Sequence, residues 1–543
     1  MKHSGPMKKA RAWRRVRHAV QILALLLFVA LLIYANAQSP RRFWADLFAR
    51  LDPLTMLTAS LAGRVLLGGL ILAGFTLLLT LLFGRLWCGW LCPLGTLLEW
   101  FGPRRARRKA PPQRWRLAKV LLLFAILGAA IFGNQSLLIF DPITILNRTL
   151  TTAVWPAVRY AVVQGEAFLY RLPLLWGPLD ALHNAVVQPI FQGVQPIFAL
   201  APLLALFAAG LVALNWWAER FWCRYLCPLG GLLGLLSRLS LVRREVNDAC
   251  VQCGRCAHPC PTGTIDPGDN YRSDPAECIV CLDCLADCQG EGIGFRWQPP
   301  HWRPGGLQEY DPTRRQVLAA VGASVLGIAL TGVEPIAQRQ PATMIRPPGA
   351  TLTDFSALCI RCGACFRICP TQGLQPSLFE GGVQNVMTPR LVSRLGFCDF
   401  GCNACGGVCP TGAIPRLALE EKQRTVIGLA RIDRDRCLPW AYNIPCIVCE
   451  ETCPLADKAI QLEQVQVLSD HGQAGALQGP RVVKERCIGC GVCESKCPMG
   501  GEAAIRVFAP TAAGPSLGAI LRQPPRQTSE VLESAKVRHG DSL

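Results

Sequence analysis

The chain has 543 residues, of which 51% are hydrophobic and 17% charged, and its net charge is +19. This composition excludes an ordinary soluble globular protein, and the length allows several domains. The 28 cysteines recur at short, regular spacings, which indicates metal ligation rather than a disulfide framework. The basic residues flank apolar segments and do not form one face, so we expect no nucleic-acid partner.

Five apolar segments are candidates for membrane-spanning helices, because about 20 apolar residues span about 30 Å of hydrocarbon. They are 18–37, 64–86, 117–134, 196–217 and the less apolar 317–337. Lys and Arg mark cytoplasmic loops. They crowd the N-terminus, the loop after the second segment and the stretch after the fourth. We therefore predict a bacterial inner-membrane protein with a cytoplasmic N-terminus and a four-span membrane domain at residues 1–245.

An internal repeat divides this membrane domain in two. The sequence RLWCGWLCPLG from Arg85 recurs as RFWCRYLCPLG from Arg220, and DPLTML from Asp52 recurs as DPITIL from Asp141. The repeat predicts two similar two-span halves that meet near a pseudo-twofold axis. We expect Asp52 and Asp141 at the outer surface, where they either flank a quinol site and accept its protons or cap helices.

Each half contains a CxxxCP pair, whose two thiols share one helical face. The four residues, here called the CxxxCP cysteines, are Cys88, Cys92, Cys223 and Cys227. We expect them at the cytoplasmic membrane surface. They either converge on one metal centre, form a dithiol–disulfide redox pair, or are buried structural thiols beside a tight turn. We favour ligation because the two halves together provide a full set of four cysteines.

Residues 246–300 are predicted to form a cytoplasmic two-cluster ferredoxin domain. The first motif comprises Cys250, Cys253, Cys256 and Cys260, and the second comprises Cys278, Cys281, Cys284 and Cys288. In this bacterial spacing the fourth cysteine of a motif ligates the other cluster. We therefore predict that Cys288 completes the cluster of the first motif, and that Cys260 completes the cluster of the second.

Residues 301–340 contain the sequence TRRQVL from Thr313, which is similar to a twin-arginine export signal. An ordinary positive-inside anchor is the alternative. Because iron–sulfur clusters are built in the cytoplasm, a domain that carries them has to cross the membrane already folded, which favours the export signal. The sequence lacks a clear cleavage site, so we expect this segment to stay as a fifth anchor helix and to leave residues 341–508 in the periplasm.

Four more motifs predict a periplasmic four-cluster ferredoxin domain at residues 341–508. The third to sixth motifs are Cys359, Cys362, Cys365 and Cys369; Cys398, Cys402, Cys405 and Cys409; Cys437, Cys446, Cys449 and Cys453; and Cys487, Cys490, Cys493 and Cys497. The fourth and fifth are irregularly spaced, so we predict nested pairing, third with sixth and fourth with fifth; sequential pairing is the alternative. We expect little regular secondary structure in this domain, and a disordered tail at residues 509–543.

Two known families carry this arrangement of motifs. Residues 1–300 resemble NapH-type membrane proteins, with four spans, two CxxxCP motifs and two cytoplasmic ferredoxin motifs. Residues 310–508 resemble NapG-type and MauM-type ferredoxins, in the signal, in RPPGA from Arg346 and in CIRCGAC from Cys359. NosR-like and FixG-like proteins share the CxxxCP part. The resemblance implies a pair that oxidises quinol and passes electrons to a periplasmic reductase. Here both halves are one polypeptide, and the fourth motif departs from the nitrate-reductase-associated form.

The predicted fold is an α-helical membrane domain, with two pseudo-repeated two-span halves and a fifth anchor helix, plus two α+β ferredoxin-like domains. The predicted cofactors are six [4Fe–4S] clusters and a further metal centre at the CxxxCP cysteines. The predicted function is electron transfer from membrane quinol to a periplasmic redox protein or reductase. Maturation or regulation, by reducing a metal centre or thiol in a partner complex, is the alternative. Since about 30 Å of hydrocarbon would separate the two ferredoxin domains, something has to bridge them.

Overall fold

The computed structural model describes most of the helical and ferredoxin regions. The described residues are 5–35, 44–102, 111–191, 195–288, 292–298, 343–350, 354–468 and 474–510, with a few positions between 318 and 325. The predicted twin-arginine signal, nearly all of the fifth anchor helix and the tail after residue 510 lie outside them.

Residues up to Ser237 form a helical domain. Its helices are α1 (Gly5–Tyr34), α2 (Leu47–Leu51), α3 (Pro53–Gly63), α4 (Leu70–Phe83), α5 (Leu86–Trp90), α6 (Pro93–Trp100), α7 (Leu117–Ile131), α8 (Pro142–Thr149), α9 (Trp155–Leu169), α10 (Trp176–Leu182), α11 (Gln188–Ile190), α12 (Ala201–Ala213) and α13 (Pro228–Ser237). Helix α7 packs against both α3 and α13, so the two copies of the repeat share one core.

Helix α1 is the one helix among the described residues that is long and apolar enough to cross a membrane. The candidate span is Arg11–Tyr34, whose arginines all lie in its first third. The next three predicted spans contain α4, α7 and α12, which have 14, 15 and 13 residues. Helices of that length extend only about 20–23 Å. The four-span layout therefore stays a prediction.

The two copies of the repeat start their helices in the same way. Asp52 caps α3 and Asp141 caps α8, and in each case a proline occupies the first helical turn. Cys92 and Cys227 stand in the same relation to α6 and α13. A proline at the start of a helix costs no hydrogen bond, because its missing N–H would have had no partner there.

The first ferredoxin domain is small and consists mostly of loops. Its elements are β1 (Val242–Val246), β2 (Ile265–Asp266), β3 (Arg272–Ser273), α14 (Asp283–Ala286) and β4 (Ile293–Trp297). The antiparallel pair β1–β4 joins the two ends of the domain, with Val242 opposite Trp297. Strands β2 and β3 form a short hairpin between the two cysteine motifs.

The second ferredoxin domain also has little regular structure. Its helices are α15 (Phe355–Leu358), α16 (Ala364–Ile368), α17 (Ala404–Gly407), α18 (Leu419–Arg424), α19 (Leu438–Ala441), α20 (Val448–Glu451) and α21 (Val492–Lys496). Its strands are β5 (Leu374–Pro376), β6 (Pro389–Leu391), β7 (Leu429–Ile432), β8 (Ile460–Leu468), β9 (Ala474–Val482) and β10 (Ile505–Phe508). Strands β5–β6, β7–β10 and β8–β9 pair antiparallel, and β8–β9 is the one long hairpin of the described residues.

The main apolar core belongs to the helical domain but extends to the cysteine motifs. It contains Phe48, Trp87 and Trp222, and it includes Ile360 from the third motif. Cys362, two residues further on, packs against the same core. The second ferredoxin domain is therefore part of the packed structure and is not tethered by a linker alone.

Candidate functional site

The four CxxxCP cysteines come together in the structure, although they belong to two copies of the repeat. Cys92 and Cys227 are buried, and Cys88 and Cys223 are partly exposed. Burial raises the pKa of Cys92, Cys223 and Cys227, and the charge of the neighbouring Cys88 raises each of them further. Thiols ligate metals as thiolates, and burial makes these thiols costly to ionise. To act as ligands they therefore need positive charge beside them.

Each CxxxCP pair closes the same local turn. The amide of Cys92 donates to the carbonyl of Trp87 at 2.9 Å, and that of Cys227 donates to Trp222 at 2.8 Å. These bonds span five residues, a wide turn that is frequent at functional sites. The sulfur of Cys92 then accepts from the amide of Gly95 at 3.4 Å. Cys227 makes the equivalent bond at 3.2 Å, so both sulfurs lie at helix N-termini, where negative charge is favoured.

Two buried arginines cross between the copies of the repeat. Arg220 donates to the carbonyl of Cys88 at 3.1 Å, and its guanidinium lies 3.5 Å from where a Cβ on Gly95 would stand. The guanidinium of Arg85 lies 2.8 Å from where a Cβ on Gly230 would stand. A Cβ at position 230 would displace Arg85, whereas one at position 95 would only contact Arg220. The repeat therefore brings two positive charges to the four thiols.

Buried carboxylates hold these arginines in place. Glu99 accepts from Arg220 and from Arg17 of α1, and although burial opposes ionisation, these two cations lower its pKa to about 2. Glu277 of the first ferredoxin domain pairs with Arg85 at 3.2 Å and also with Lys119. Sequence reasoning missed both carboxylates. A lone acid in an apolar stretch signals Glu99, whereas no sequence pattern indicates Glu277.

The cysteines of the first ferredoxin domain meet in the crossed arrangement that the spacing predicts. Cys260 lines a cavity of about 330 Å³ with Cys278, Cys281 and Cys284. Cys256 lies beside Cys250 and Cys288, whose charges raise its pKa after the larger effect of burial. The assignment of ligands to individual clusters stays a prediction.

In the second ferredoxin domain the prediction of nested pairing is wrong. A cavity of about 430 Å³ is lined by Cys398, Cys402 and Cys405 with Cys369, the last cysteine of the third motif. Neighbouring motifs therefore pair, because α16 packs against α17 within one compact unit. Irregular spacing changes the loop inside a motif but not where its last cysteine lies.

The fifth and sixth motifs pair in the same sequential way. A cavity of about 360 Å³ is lined by Cys437, Cys446 and Cys449 with Cys497. Helices α20 and α21 pack together here, as α16 and α17 do in the preceding pair. The last cysteines of the fourth and fifth motifs also lie beside the motif with which their own motif pairs. Cys409 lies beside the first three cysteines of the third motif, and Cys453 lies beside Cys487 and Cys490.

These four-cysteine sites fit iron–sulfur cubanes. Each cavity is lined by four thiols; the other lining side chains are mainly apolar in the second ferredoxin domain and half apolar, half polar in the first. A cubane takes one thiolate per iron, so its ligands stand further apart than those of a single ion. Among the residues that the structure describes, no three His, Cys, Asp or Glu side chains are arranged to hold a single metal ion.

The motifs of the second ferredoxin domain follow one another away from the helical domain. The third is adjacent to it, since Asn147 donates to the carbonyl of Cys362 at 2.8 Å. The amide of Cys398 donates to Cys490 at 2.8 Å, which joins the fourth motif to the sixth. Cys493 of the sixth has Cys449 of the fifth as a neighbour. The spatial order is third, fourth, sixth, fifth.

Both ferredoxin domains contact the helical domain through their cysteine loops. In the first, Trp90 donates to the carbonyl of Val280 at 2.9 Å, between Cys278 and Cys281. A Cβ on Gly89 would lie 2.1 Å from the carbonyl oxygen of Ile279, so only glycine allows this approach. The second domain contacts the opposite end of the helical core, where Gln135 donates to Ala357 at 3.1 Å.

Helix α1 runs from one ferredoxin domain to the other. Arg17 pairs with Asp283 of the first domain at 3.3 Å. Leu31 lines a cavity together with Cys362 of the second domain. The two positions are about 21 Å apart along the helix, at 1.5 Å per residue. The cysteine loops thus contact the helical domain at both ends of this stretch of α1.

Asp52 and Asp141 lie in the protein interior, and their expected level at the outer membrane surface stays a prediction. Both are fully buried, and both cap helices. Apart from the hydrogen bond that the two carboxyls share when one is protonated, Oδ2 of Asp52 and Oδ1 of Asp141 have no partner among the described residues. Burial raises the pKa of both carboxyls, to about 6 for Asp141, and the Asp141 charge raises that of Asp52 further.

Comparison with known proteins identifies the domains. Residues 65–111 and 200–247, which each contain one CxxxCP pair, match a family profile described as 4Fe-4S binding domain. Residues 358–414 match a 4Fe-4S dicluster domain, and residues 480–501 match a further 4Fe-4S binding domain. No solved structure matches the chain.

Curated relatives point to the same chemistry. The methylamine utilization ferredoxin-type protein MauM of Methylorubrum extorquens is 38% identical over 207 residues, which cover 36% of this chain and 89% of MauM. The ferredoxin-type protein NapG of Escherichia coli is 34% identical over 212 residues, or 38% of this chain and 87% of NapG.

The chain belongs to the MauM and NapG family of ferredoxin-type proteins. It is thus an iron–sulfur electron-transfer protein with [4Fe–4S] clusters. The putative electron transport protein YccM of Escherichia coli is 28% identical over 241 residues, which cover 42% of this chain and 56% of YccM. The MauM and NapG matches cover about a third of the chain, so the rest of it lies beyond that resemblance.

Proposed function

We propose that this protein is a membrane-bound electron-transfer protein that oxidises quinol and passes the electrons to a periplasmic redox protein or reductase. In this proposal the helical domain corresponds to a NapH-type membrane protein fused to a MauM/NapG-type ferredoxin. NosR-like and FixG-like proteins would share the helical part. The N-terminus and the first ferredoxin domain are cytoplasmic, and the second ferredoxin domain is periplasmic.

One observation carries the proposal: both ferredoxin domains contact a single helical core through their cysteine loops, with the CxxxCP cysteines inside that core. Trp90 contacts the second motif and Asn147 contacts the third. A protein that only stored clusters would not need this contact on both sides. The apolar helix α1, which contacts both ferredoxin domains, supports membrane attachment.

The CxxxCP cysteines are proposed to hold a seventh iron–sulfur centre. The convergence of four thiols, the two crossing arginines and the match of both halves to a 4Fe-4S binding profile support this. When bound, such a centre takes up and releases one electron at a time. Arg85 and Arg220 offset the charge of the thiolates, while the amides of Gly95 and Gly230 orient Cys92 and Cys227.

The second ferredoxin domain is proposed to hold four clusters, which conduct electrons in the spatial order of its motifs. The third motif receives them at the helical domain, and the fifth delivers them at the far end. Cys446 is partly exposed between the exposed Pro445 and Ile447. A redox partner would dock here, because an acceptor needs close approach to the last cluster. With two clusters in the first ferredoxin domain, the ferredoxin motifs account for six.

The test uses membrane vesicles that contain the full chain. Added quinol should reduce the iron–sulfur clusters, as followed by EPR. The reduction should continue steadily while an added oxidant returns the clusters to the oxidised state. A Cys362→Ser variant, altered at the third motif, should lose most of this activity but retain reduction by dithionite in the other clusters. If quinol never reduces the clusters of the unmodified protein, the quinol proposal fails, and reduction of a partner's metal centre or thiol becomes the better explanation.

A further inference from the structure

A cavity lies between helix α1 and the third cysteine motif. It encloses about 410 Å³ of space free of protein atoms, part of which is open to solvent. Its apolar lining includes Phe28, Leu31 and Phe48, and Asn147 and Cys362 lie at the side of the ferredoxin domain. The cavity is separate from the cysteine-lined spaces described above.

One buried carboxylate lines this cavity. Asp46 is 4% exposed, and its Oδ2 accepts from Arg50 at 2.8 Å. Its Oδ1 has no hydrogen-bond partner among the described residues. An unpartnered oxygen of a buried carboxylate is costly, so a ligand that donates a hydrogen bond here would be stabilised.

The cavity joins the membrane helix to a cluster-binding loop. The opposite face of α1 exposes large apolar side chains, among them Leu23, Leu26 and Leu27. The other wall contains Cys362, whose carbonyl is fixed by Asn147 at 2.8 Å. The cavity thus lies between an apolar helix and the first cysteine loop of the second ferredoxin domain, a position that suits a lipid-soluble redox molecule.

We infer that this cavity binds the ring of a membrane quinol, with Asp46 accepting a proton from a ring hydroxyl and the third-motif cluster accepting the electrons. The inference rests on the proposed quinol oxidation and assigns that reaction to this cavity. Oxidation breaks both O–H bonds and yields quinone, two electrons and two protons. The electrons leave singly, through the third motif to the fourth, and Asp46 releases its first proton before it takes the second.

The charges around Asp46 suit this role. Burial raises the pKa of Asp46, while Arg50 on α2 and Arg416 of the second ferredoxin domain lower it. Cys362 is the other titratable group that faces it, and its pKa is raised by burial and, to a smaller extent, by Asp46. Two cations thus keep a buried carboxylate available as a proton acceptor.

Three full-length variants test the inference, with duroquinol as the reductant and EPR of the clusters as the readout. Asp46→Asn keeps the shape but removes the proton acceptor, so the rate should fall at least about tenfold with little change in KM. Ala49→Leu fills the cavity and should raise KM instead. Asp180→Asn removes an exposed carboxylate and should behave like the unmodified protein. Dithionite should reduce the clusters equally in all four proteins.

A photoreactive azidoquinone provides a readout that does not need turnover. It should label peptides from α1 or α2, and Ala49→Leu should weaken the labelling. If duroquinol reduces the unmodified protein but Asp46→Asn and Ala49→Leu match it, the site is wrong while quinol oxidation stands. If duroquinol reduces nothing, the proposed function fails, and absence of labelling at α1 and α2 then overturns the site as well.

Discussion

Arg220 donates a hydrogen bond to the carbonyl of Cys88 at 3.1 Å, although the two residues belong to different copies of the repeat. Arg85 makes the reciprocal crossing towards Gly230. The pseudo-twofold relation therefore holds for individual contacts as well as for the sequence. Its result is a site to which each half contributes two of the four thiols and one of the two arginines.

Replacing Arg220 should lower the reduction potential of the CxxxCP centre. Loss of a buried positive charge disfavours the more negative, reduced state, by roughly 50–150 mV at an effective dielectric constant near 20. EPR-monitored titration of Arg220→Gln would measure the shift. Arg171→Gln, at an exposed arginine, should leave the potential unchanged. An unaltered potential in Arg220→Gln would mean that no redox centre lies beside this guanidinium.

Removing one thiol from each CxxxCP pair should remove one cluster. The Cys88→Ser/Cys223→Ser protein should contain about four fewer iron atoms per chain than the unmodified protein. Cys362→Ser should abolish a different EPR signal and leave the CxxxCP signal intact. If the double variant has the same iron content and the same EPR signals as the unmodified protein, the CxxxCP cysteines are structural thiols or a redox-active dithiol. Thiol titration under oxidising conditions distinguishes these two, because only the dithiol would form a disulfide.

Asp141 makes the stability of the helical domain depend on pH. Its pKa is raised to about 6, chiefly by burial, so the native state holds the proton more tightly than the unfolded chain does. The free energy of unfolding should therefore be highest near pH 4 and fall as the pH rises through 6. Asp141→Asn keeps a good helix cap and should reduce this fall, while the buried Asp52, whose pKa is also raised by burial, still contributes part of it.

Thermal unfolding in detergent between pH 4 and pH 8 checks this. Asp266→Asn, which replaces another capping carboxylate near the surface, should not change the shape of the curve. If the unmodified protein instead gains stability from pH 4 to pH 7, and Asp141→Asn does not alter the curve, the interior carboxyl pair does not bind an extra proton.

Glu277 should hold the first ferredoxin domain onto the helical domain. It is buried and pairs with Arg85 and Lys119, so Glu277→Gln leaves two buried cations poorly compensated, at a cost of about 3–5 kcal/mol. Limited proteolysis should release the region near residues 246–300 more readily. Glu245→Gln breaks the more exposed pair with Arg296, worth under about 1 kcal/mol. Equal proteolysis of both variants would exclude Glu277 as an anchor.

Sequence reasoning identified the local chemistry because cysteine spacing and the CxxxCP repeat are encoded within short segments. The crossed pairing of Cys260 with the second motif followed directly from spacing. The pairing of motifs in the second ferredoxin domain could not be predicted from spacing, because it depends on which short helices pack together. The helix-capping role of Asp52 and Asp141 was predicted, but their burial was not, since a helix-capping sequence is equally compatible with a solvent-exposed position and with the interior.

Contacts between segments that are distant in the chain could not be predicted from the sequence. Glu99, Glu277 and Asp46 act through partners far away in the chain, such as Arg220 and Cys362, and no short pattern reveals them. The sequence also left open what bridges the two ferredoxin domains, and both place their cysteine loops against one helical core. Only the packed structure shows this.

Electron flow between the two ferredoxin domains tests the account most directly. The full-length protein, reconstituted in sealed liposomes and reduced throughout, would be exposed to membrane-impermeant ferricyanide on the side of the second ferredoxin domain only. EPR of the clusters of the first ferredoxin domain is then followed with time. We expect them to be oxidised in the unmodified protein and to stay reduced in Cys88→Ser/Cys223→Ser. Equal oxidation in both proteins, or none in the unmodified protein, would contradict a route through the CxxxCP cysteines.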